Sequence, residues 1–517
     1  MTFFLRFPAL WFFVALTFVS AASAQAPAYS ELWGKSGEKW QVSGRLPDFS
    51  YAGYRRGEKA IPELKQAANV KDFGAVGDGK ADDTKAIQAA IDATERGAVF
   101  LPEGRYRITD FIFIRKSGVV LRGAGPFKTI LGFPRGLDEI HPKDGRTSTG
   151  SPASGYSFDG AFLRITGDYR AQSLTPIVAT AMRGDKTVDV QSAEKLTIGQ
   201  SVLVAVRETK SHSLKTYLYN GDPGDIARGK QLDTKMLMRI AAIDGRRVTF
   251  DRPLRFETRE EWNAEIRSFD PTVTESGIEN IGFVFPPMPY RGHFKENGAN
   301  AIELRNVYNC WVRNVAIHNG DLGINIVACH NTIDGVLITA AKERELPLSG
   351  RDPGCSGHHA IQCKGAEDNL ITRFDLQTRY VHDLSVEHAS GNVFAGGRGV
   401  DINFDHHKDT PYENLFTDID AGVARRVWHS GGGESLGRQS AGWETFWNIR
   451  GVSPFKLPPD GWGVKTMNFV GLTTKQETVV TADKPWHEAI APEALQPANL
   501  YAAQLRRRLQ MPPPERN

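Results

Sequence analysis

Short apolar runs, each opened by an asparagine, recur through the middle of the chain. They are Asn280-Ile281, Asn309-Cys310-Trp311-Val312, Asn331-Thr332-Ile333, Asn369-Leu370-Ile371, Asn392-Val393-Phe394, Asn414-Leu415-Phe416 and Asn448-Ile449. From Asn309 the steps are 22, 38, 23, 22 and 34 residues. A step near 22 with two or three short strands is the pattern of a parallel β-helix, and the two long steps fit one coil plus an insertion. A coil cannot bury its apolar side alone, so stacked coils must share one core. At a spacing of ~4.8 Å, asparagines at equivalent turns can hydrogen-bond up the stack.

The flanks read differently. Residues 25–65 form a polar leader carrying Trp33, Trp40, Tyr51 and Tyr54. Residues 66–132 hold a capping helix and the first coils. Lys85–Ala93 has helical spacing with Ile87, Ala90 and Ile91 on one side, and Asp82, Asp83 or Thr84 as its cap. Strands follow at Ala98–Leu101, Tyr106–Ile108, Phe111–Ile114 and Val119–Leu121. Between 133 and 276 the coil rhythm is lost. Alternation at Thr187–Val190 and Arg247–Phe250 predicts an insertion with a small β module. The main coils occupy 277–455. Residues 456–517 carry further strands, a helix over Leu500–Leu509 and a proline-rich end.

Composition excludes several classes. The 517 residues contain 63 Lys+Arg against 60 Asp+Glu, with 40% hydrophobic and 24% charged side chains. That is globular, and too balanced for a dedicated nucleic-acid binder. The 51 glycines and 28 prolines suit a turn-rich all-β chain. Arg6, the apolar run Phe7–Val19 and Ala22-Ser23-Ala24 read as a signal peptide over 1–24, with a mature chain from about Gln25. Export to the periplasm or beyond is therefore expected, with no membrane association after cleavage. In an oxidising compartment Cys310, Cys329, Cys355 and Cys363 suggest bonds or buried thiols, and a loop-closing Cys355–Cys363 bridge is expected among the three pairings. Their spacing is not zinc-like.

The words "NVKDFGAVGDGKADDTKAIQAAIDA", "GAVFLPEGRYRI" and "LRGAG", in that order over residues 69–125, resemble the start of the pectate-lyase-like superfamily. The resemblance implies an all-β, right-handed parallel β-helix and carbohydrate as the ligand class. It assigns no reaction and no catalytic residue.

Candidate chemistry concentrates between His358 and Arg438, which hold seven of the 13 histidines. Alternation in Val400–Asp405 buries Val400, Ile402 and Phe404 and puts Asp401, Asn403 and Asp405 outside. Val386-Glu387-His388 and Phe404-Asp405-His406 look equivalent on successive coils. The candidate catalytic residues are His406, Asp405, Asp401, His382, Arg379, Glu387 and Tyr380. Those for substrate binding are His358, His359, His407, His429, Glu434, Arg438 and Trp428. Trp311, Trp443 and Trp447 are further candidates for stacking on sugars. His318 with Asn319 and Asp321, and His293 with Lys295 and Glu296, are weaker centres. His, Tyr and Arg suit a lyase, which needs a base, an acid and a cation for a uronate carboxylate. Asp405 with Glu387 or Asp401 suits a hydrolase, but Asp401 and Asp405 stand roughly 13 Å apart along one strand, beyond the ~5–9.5 Å of a glycosidase pair. A polysaccharide lyase stands slightly ahead of a glycoside hydrolase, with a non-catalytic carbohydrate-binding β-helix as the alternative of another class. No cofactor or metal is expected. The acidic residues permit a Ca²⁺ site, but no loop motif encodes one.

Overall fold

A computed structural model describes residues 26–147, 150–226, 232–348 and 351–510. The expected signal peptide and the proline-rich end lie outside the described residues. The chain winds into a right-handed parallel β-helix. Each full coil gives one strand to a seven-stranded sheet, the short sheet, and one bent strand to a sixteen-stranded sheet, the long sheet. The strands Ile112–Ile114, Leu163–Thr166, Asn300–Tyr308, Leu322–Cys329, His359–Lys364, His382–Glu387 and Phe404–His406 stack in parallel as the short sheet. The bent strands include Gly277–Val284, Trp311–His318, Thr332–Thr339, Leu370–Leu376, Leu415–Asp420, Thr445–Arg450 and Asn468–Leu472, and build the long sheet. The helix Thr84–Ala93 buries Ile87, Ala90 and Ile91 on the first coils. Asp82 accepts from Thr84 N at 3.1 Å at its start, while the Asp83 carboxylate holds Val76 N and Gly77 N instead.

The inward row of the long sheet changes from β-branched to aromatic along the stack. Phe394, Phe416, Phe446 and Phe469 stack with centroids 4.8, 5.1 and 5.4 Å apart and planes within 8°. Offset ring stacks add to the area term of burial. At the turn, Asn331, Asn369, Asn392 and Asn414 form the expected ladder. Asn392 Oδ1 accepts from Asn369 N and Nδ2 (3.1 and 2.9 Å), while its Nδ2 donates to Asn414 Oδ1 and Ala366 O (3.0 and 2.9 Å). Glu444 closes the ladder by accepting from Asn414 Nδ2 at 2.6 Å. Asn280 and Asn448 do not join it. They stand in a second column, with Asn314, Gly335, Arg373, Gly396, Asp418 and Gly471, where every φ lies between +53° and +72°. These left-handed residues bend the long strand in two, which asparagine and glycine do at least cost. Replacing Asn392 with alanine orphans the buried Asn369 N–H and removes one donor each from Ala366 O and Asn414 Oδ1. The orphaned N–H is expected to cost about 1–3 kcal/mol, read as a lower urea midpoint at unchanged slope.

The segment after residue 133 returns one strand, Leu163–Thr166, to the short sheet before leaving the helix. Six strands then form an antiparallel sheet in the order Ser173–Pro176, Glu265–Ser268, Ser201–Arg207, Asp233–Asp244, Arg247–Phe250, Thr187–Asp189. This module has its own core around Val202, Val204, Met236, Ile240, Trp262 and Ile266. It docks on the turns of the coils through buried charges: Arg252 and Arg255 on Asp368, and Arg183 and Arg255 on Glu413. His330 is buried there, with Nε2 3.5 Å from Asp368. Burial pushes its pKa down to about 3. Between pH ~6.5 and 3 the unfolded chain therefore binds a proton at this site that the folded chain refuses, so stability falls as pH falls through that window. His330→Gln is expected to flatten this acid loss, which amounts to ~1.4 kcal/mol per pH unit in the wild type, in melting curves taken from pH 7 to 4.

The leader and the helix Leu500–Gln510 close one outer face. Trp33, Leu46, Phe49, Leu495 and Leu500 cover Val393, Leu415, Trp447 and Val470, and Gln504 accepts from Phe49 N and donates to Pro47 O. The outer side beyond the bend carries paired charges, Arg373–Asp334, Arg398–Asp375 and Arg450–Asp418, with Arg373 and Arg398 exposed and the other four side chains partly buried. The outer face of the short sheet carries the titratable cluster.

Candidate active site

Parallel register sets the site. On the outer side of the short sheet Glu303, Asn325, Gln362, Ser385 and Asp405 stand in one column, one per coil. Beside it Lys364 pairs with Glu387, Nζ to Oε2 2.9 Å. Strict alternation would send His359 inward with Ile361 and Cys363. The strand starts break the alternation: Ala360 enters the core, and His359 and His382 stack on the polar side with centroids 4.8 Å apart. His359 Nδ1 lies 3.0 Å from Ser385 Oγ. His358 packs against His359 and His382 at 4.1 and 5.3 Å. His293, from the loop before Asn300, packs on His358 at 4.5 Å.

Asp405 is the hub. It is fully buried, with Oδ2 2.9 Å from His407 Nδ1 and 3.3 Å from His382 Nδ1, while Oδ1 accepts from Gly431 N at 2.6 Å. The glycine run after Ser430 brings this backbone N–H onto the carboxylate, and a β-carbon at Gly431 would fall 2.3 Å from the His407 ring. The side module holds that loop through Arg438 on Asp222.

Burial alone would raise the Asp405 carboxyl, but His382 and His407 hold it well below the ordinary range. Burial lowers His407, and Asp405 overrides it, so its pKa ends raised. His358 and His359 are pushed well below the histidine range by burial and by the neighbouring imidazoles. Burial raises Glu387 too, yet Lys364 and His407 outweigh it. Glu296 is pushed up to about 7 by burial, against hydrogen bonds from Ser157 and Tyr290.

Several expected positions are corrected. His406 pairs with Val386 in the inward row and is wholly buried against Phe416, Phe446 and Trp462, with Glu444 3.6 Å away. The triplets 386–388 and 404–406 are therefore offset by two residues, and Phe404 pairs with Leu384. Val400 is exposed, because the strand begins only at Phe404. Tyr380 is a core residue whose OH donates to Gly320 O at 2.9 Å. Asp401 accepts from Arg425 N and Arg379 Nε at 2.9 and 3.2 Å, and together Asp401 and Arg379 brace the turn. Arg438 is consumed by Asp222, and Glu434 is exposed on the same loop. His429 and Trp428 line a separate depression with Arg425, Phe455 and Lys456. Trp311 and Trp447 are core, and Trp443 lies under Arg183. All four cysteines are buried free thiols, so the 355–363 bridge is not formed. His318 bonds Thr339 and stays outside the cluster, and Asp321 binds Arg344.

Of the sequence candidates, His358, His359, His382, His407, Asp405 and Glu387 converge. His293 and Glu296, a weaker centre in sequence, join them. Lys364 was missed. Its signal was the alternation Ile361-Gln362-Cys363-Lys364, which points Gln362 and Lys364 outward.

The fold is a right-handed parallel β-helix, and the words at residues 69–125 resemble the start of the pectate-lyase-like superfamily. The model of the family described as rhamnogalacturonase A/epimerase, pectate lyase-like, matches residues 67–221. Among characterised proteins, the chain is 51% identical over 80 residues to alginate lyase 7 of Azotobacter vinelandii, covering 14% of this chain and 9% of that one. It is 42% identical over 104 residues to mannuronan C5-epimerase AlgE5 of the same organism, covering 18% and 10%. The chain thus spans about a tenth of the length of these relatives. Among solved structures, the tailspike protein gp49 of Pseudomonas phage LKA1 aligns over 81% of this chain and 68% of its own, with 14% identity and a TM-score of 0.39. No helix among the described residues is long and apolar enough to cross a membrane.

Proposed function

We propose that the protein is an exported polysaccharide lyase that cleaves a uronic-acid polymer by β-elimination on the outer face of the short sheet. The observation that carries this reading is the His407–Asp405 pair beside the Lys364–Glu387 pair. Asp405 fixes His407 Nδ1, which leaves Nε2 as the proton-accepting atom. The His407 and Lys364 side chains are 17% and 35% exposed, so substrate can reach both, whereas Asp405 is sealed.

Elimination needs few groups. Lys364 neutralises the uronate carboxylate, which acidifies the adjacent C–H. His407 Nε2 takes that proton. The electron pair forms the C=C bond as the glycosidic C–O bond breaks, and the imidazolium returns the proton to the leaving oxygen. Hydrolysis would need one carboxyl free to protonate the leaving group and another to activate water. Here Asp405 is engaged on both oxygens and Glu387 is tied to Lys364. A depression of about 470 Å³ adjoins the site and is lined by three basic side chains, Lys143, Arg291 and Lys295, and three acidic ones, Asp138, Asp144 and Glu296. The relatives named for alginate and mannuronan act on polymers of this kind. Export rests on the segment Arg6–Ala24.

Incubation with a panel of acidic and neutral polysaccharides tests the proposal. Near-UV absorbance and reducing ends rising together on a uronate polymer support it. Reducing ends without absorbance mean hydrolysis. A change in uronate configuration without either signal means epimerisation, which shares the proton abstraction but not the elimination. No signal on any glycan returns the binding-module reading.

A further inference from the structure

We propose that His293, His358 and His382 bind one first-row transition ion of the zinc class at the edge of the site. The three side chains come from separate elements: the loop before Asn300, the turn into His359–Lys364, and the start of His382–Glu387. They offer one ligand atom each, all within 4.8 Å of one another. Tetrahedral Zn–N bonds of ~2.0–2.1 Å put ligand nitrogens about 3.4 Å apart, which side-chain rotation can reach.

Three features favour a metal over a packed histidine stack. His358 is buried, and neither of its ring nitrogens has a hydrogen-bond partner, which an apolar or ladder role would leave as a cost. His358 Nδ1 stands 3.3 Å from Glu296 Oε1, and His382 Nδ1 stands 3.3 Å from Asp405 Oδ2. A carboxylate behind Nδ1 is how metal-ligating histidines are oriented, and it leaves Nε2 as the donor. Third, Glu296 is itself fixed by Tyr290 and Ser157, and Asp405 by Gly431 N, so the supporting groups are preset. An all-nitrogen set suits zinc, copper or nickel and not Ca²⁺, which takes oxygen.

A second triad, His382, Asp405 and His407, shares His382. It is the poorer site, because Asp405 and His407 already satisfy each other. Three histidines leave a fourth position for water or a substrate oxygen, and His293, the partly exposed member, marks the open side.

The test uses the full, tag-free chain stripped with chelator and titrated with Zn²⁺ and Co²⁺ alone, with no glycan present. One equivalent is expected to bind, and bound Co²⁺ should show intense tetrahedral visible bands. His358→Ala should weaken Zn²⁺ binding more than ~100-fold, and Glu296→Gln by about 10–100-fold. His293→Ala alters a loop side chain and should do the same as His358→Ala with an unchanged melting temperature in the absence of metal. Binding that survives His293→Ala but not His407→Ala would overturn the assignment, as would no saturable binding in the wild type. None of these readouts depends on whether the protein cleaves a polysaccharide.

Discussion

His407→Gln should lower cleavage of a uronate polymer by about 10²–10⁴-fold while leaving the unfolding free energy within about 1 kcal/mol of the wild type. Glutamine still reaches Asp405 with a donor, so the carboxylate is not abandoned, but it cannot accept a proton. The neighbouring residue provides the contrast. His406 faces the core between Phe416, Phe446 and Trp462. His406→Gln should therefore cost stability through lost packing, with activity per folded molecule near that of the wild type. Rate loss at 407 and stability loss at 406, one residue apart, is the signature of a strand with one face to substrate and one to the core. Equal rate losses at both positions would mean that the inward and outward rows are misassigned.

Asp368→Ala should destabilise the fold by about 3–5 kcal/mol, the scale for breaking a buried ion pair from one side. Asp368 accepts from Arg252 Nη1 at 2.9 Å and from Arg255, and all three side chains are at most 3% exposed. Burial alone would raise its carboxyl, but the two guanidinium groups hold it far below the ordinary range. Its removal leaves Arg252 with no other ion-pair partner among the described residues, while Arg255 retains Glu413. The damage should spread along a defined path. The side module carries Asp222, which holds Arg438 and hence the loop whose Gly431 N–H sits on Asp405. Hydrogen exchange should accordingly quicken first in the module and in the 430–438 loop, and last in the phenylalanine stack.

Much of this molecule was legible in the sequence, and the reasons are local. The 22-residue step and the leading asparagines predicted the stack, because a side-chain ladder needs the same residue at the same turn of each coil. Asn280 and Asn448 were assigned to that ladder wrongly. Asparagine serves two purposes here, a hydrogen-bonding rung and a left-handed bend, and only register separates them. The site was half legible. Density of histidine located it, and Asp405 was placed on the correct face by alternation. His406 was misplaced although the alternation that buries Phe404 and turns Asp405 outward also turns His406 inward; the likeness of triplets 386–388 and 404–406, which the register offsets by two residues, concealed it. His359 and His382 reach the polar side only because alternation fails at strand starts. His293 and Glu296 arrive from a loop some 65 to 90 residues earlier in the chain, a contact set by the coil-on-coil stacking alone.

The most direct measurement of the central claim is proton NMR of a polyuronate incubated with the protein in D₂O. Proton abstraction beside the carboxylate, followed by elimination, predicts new vinylic signals from unsaturated chain ends that grow in step with reducing ends and vanish with His407→Gln. Chain cleavage with no vinylic signal and no deuterium entering beside the carboxylate would contradict it.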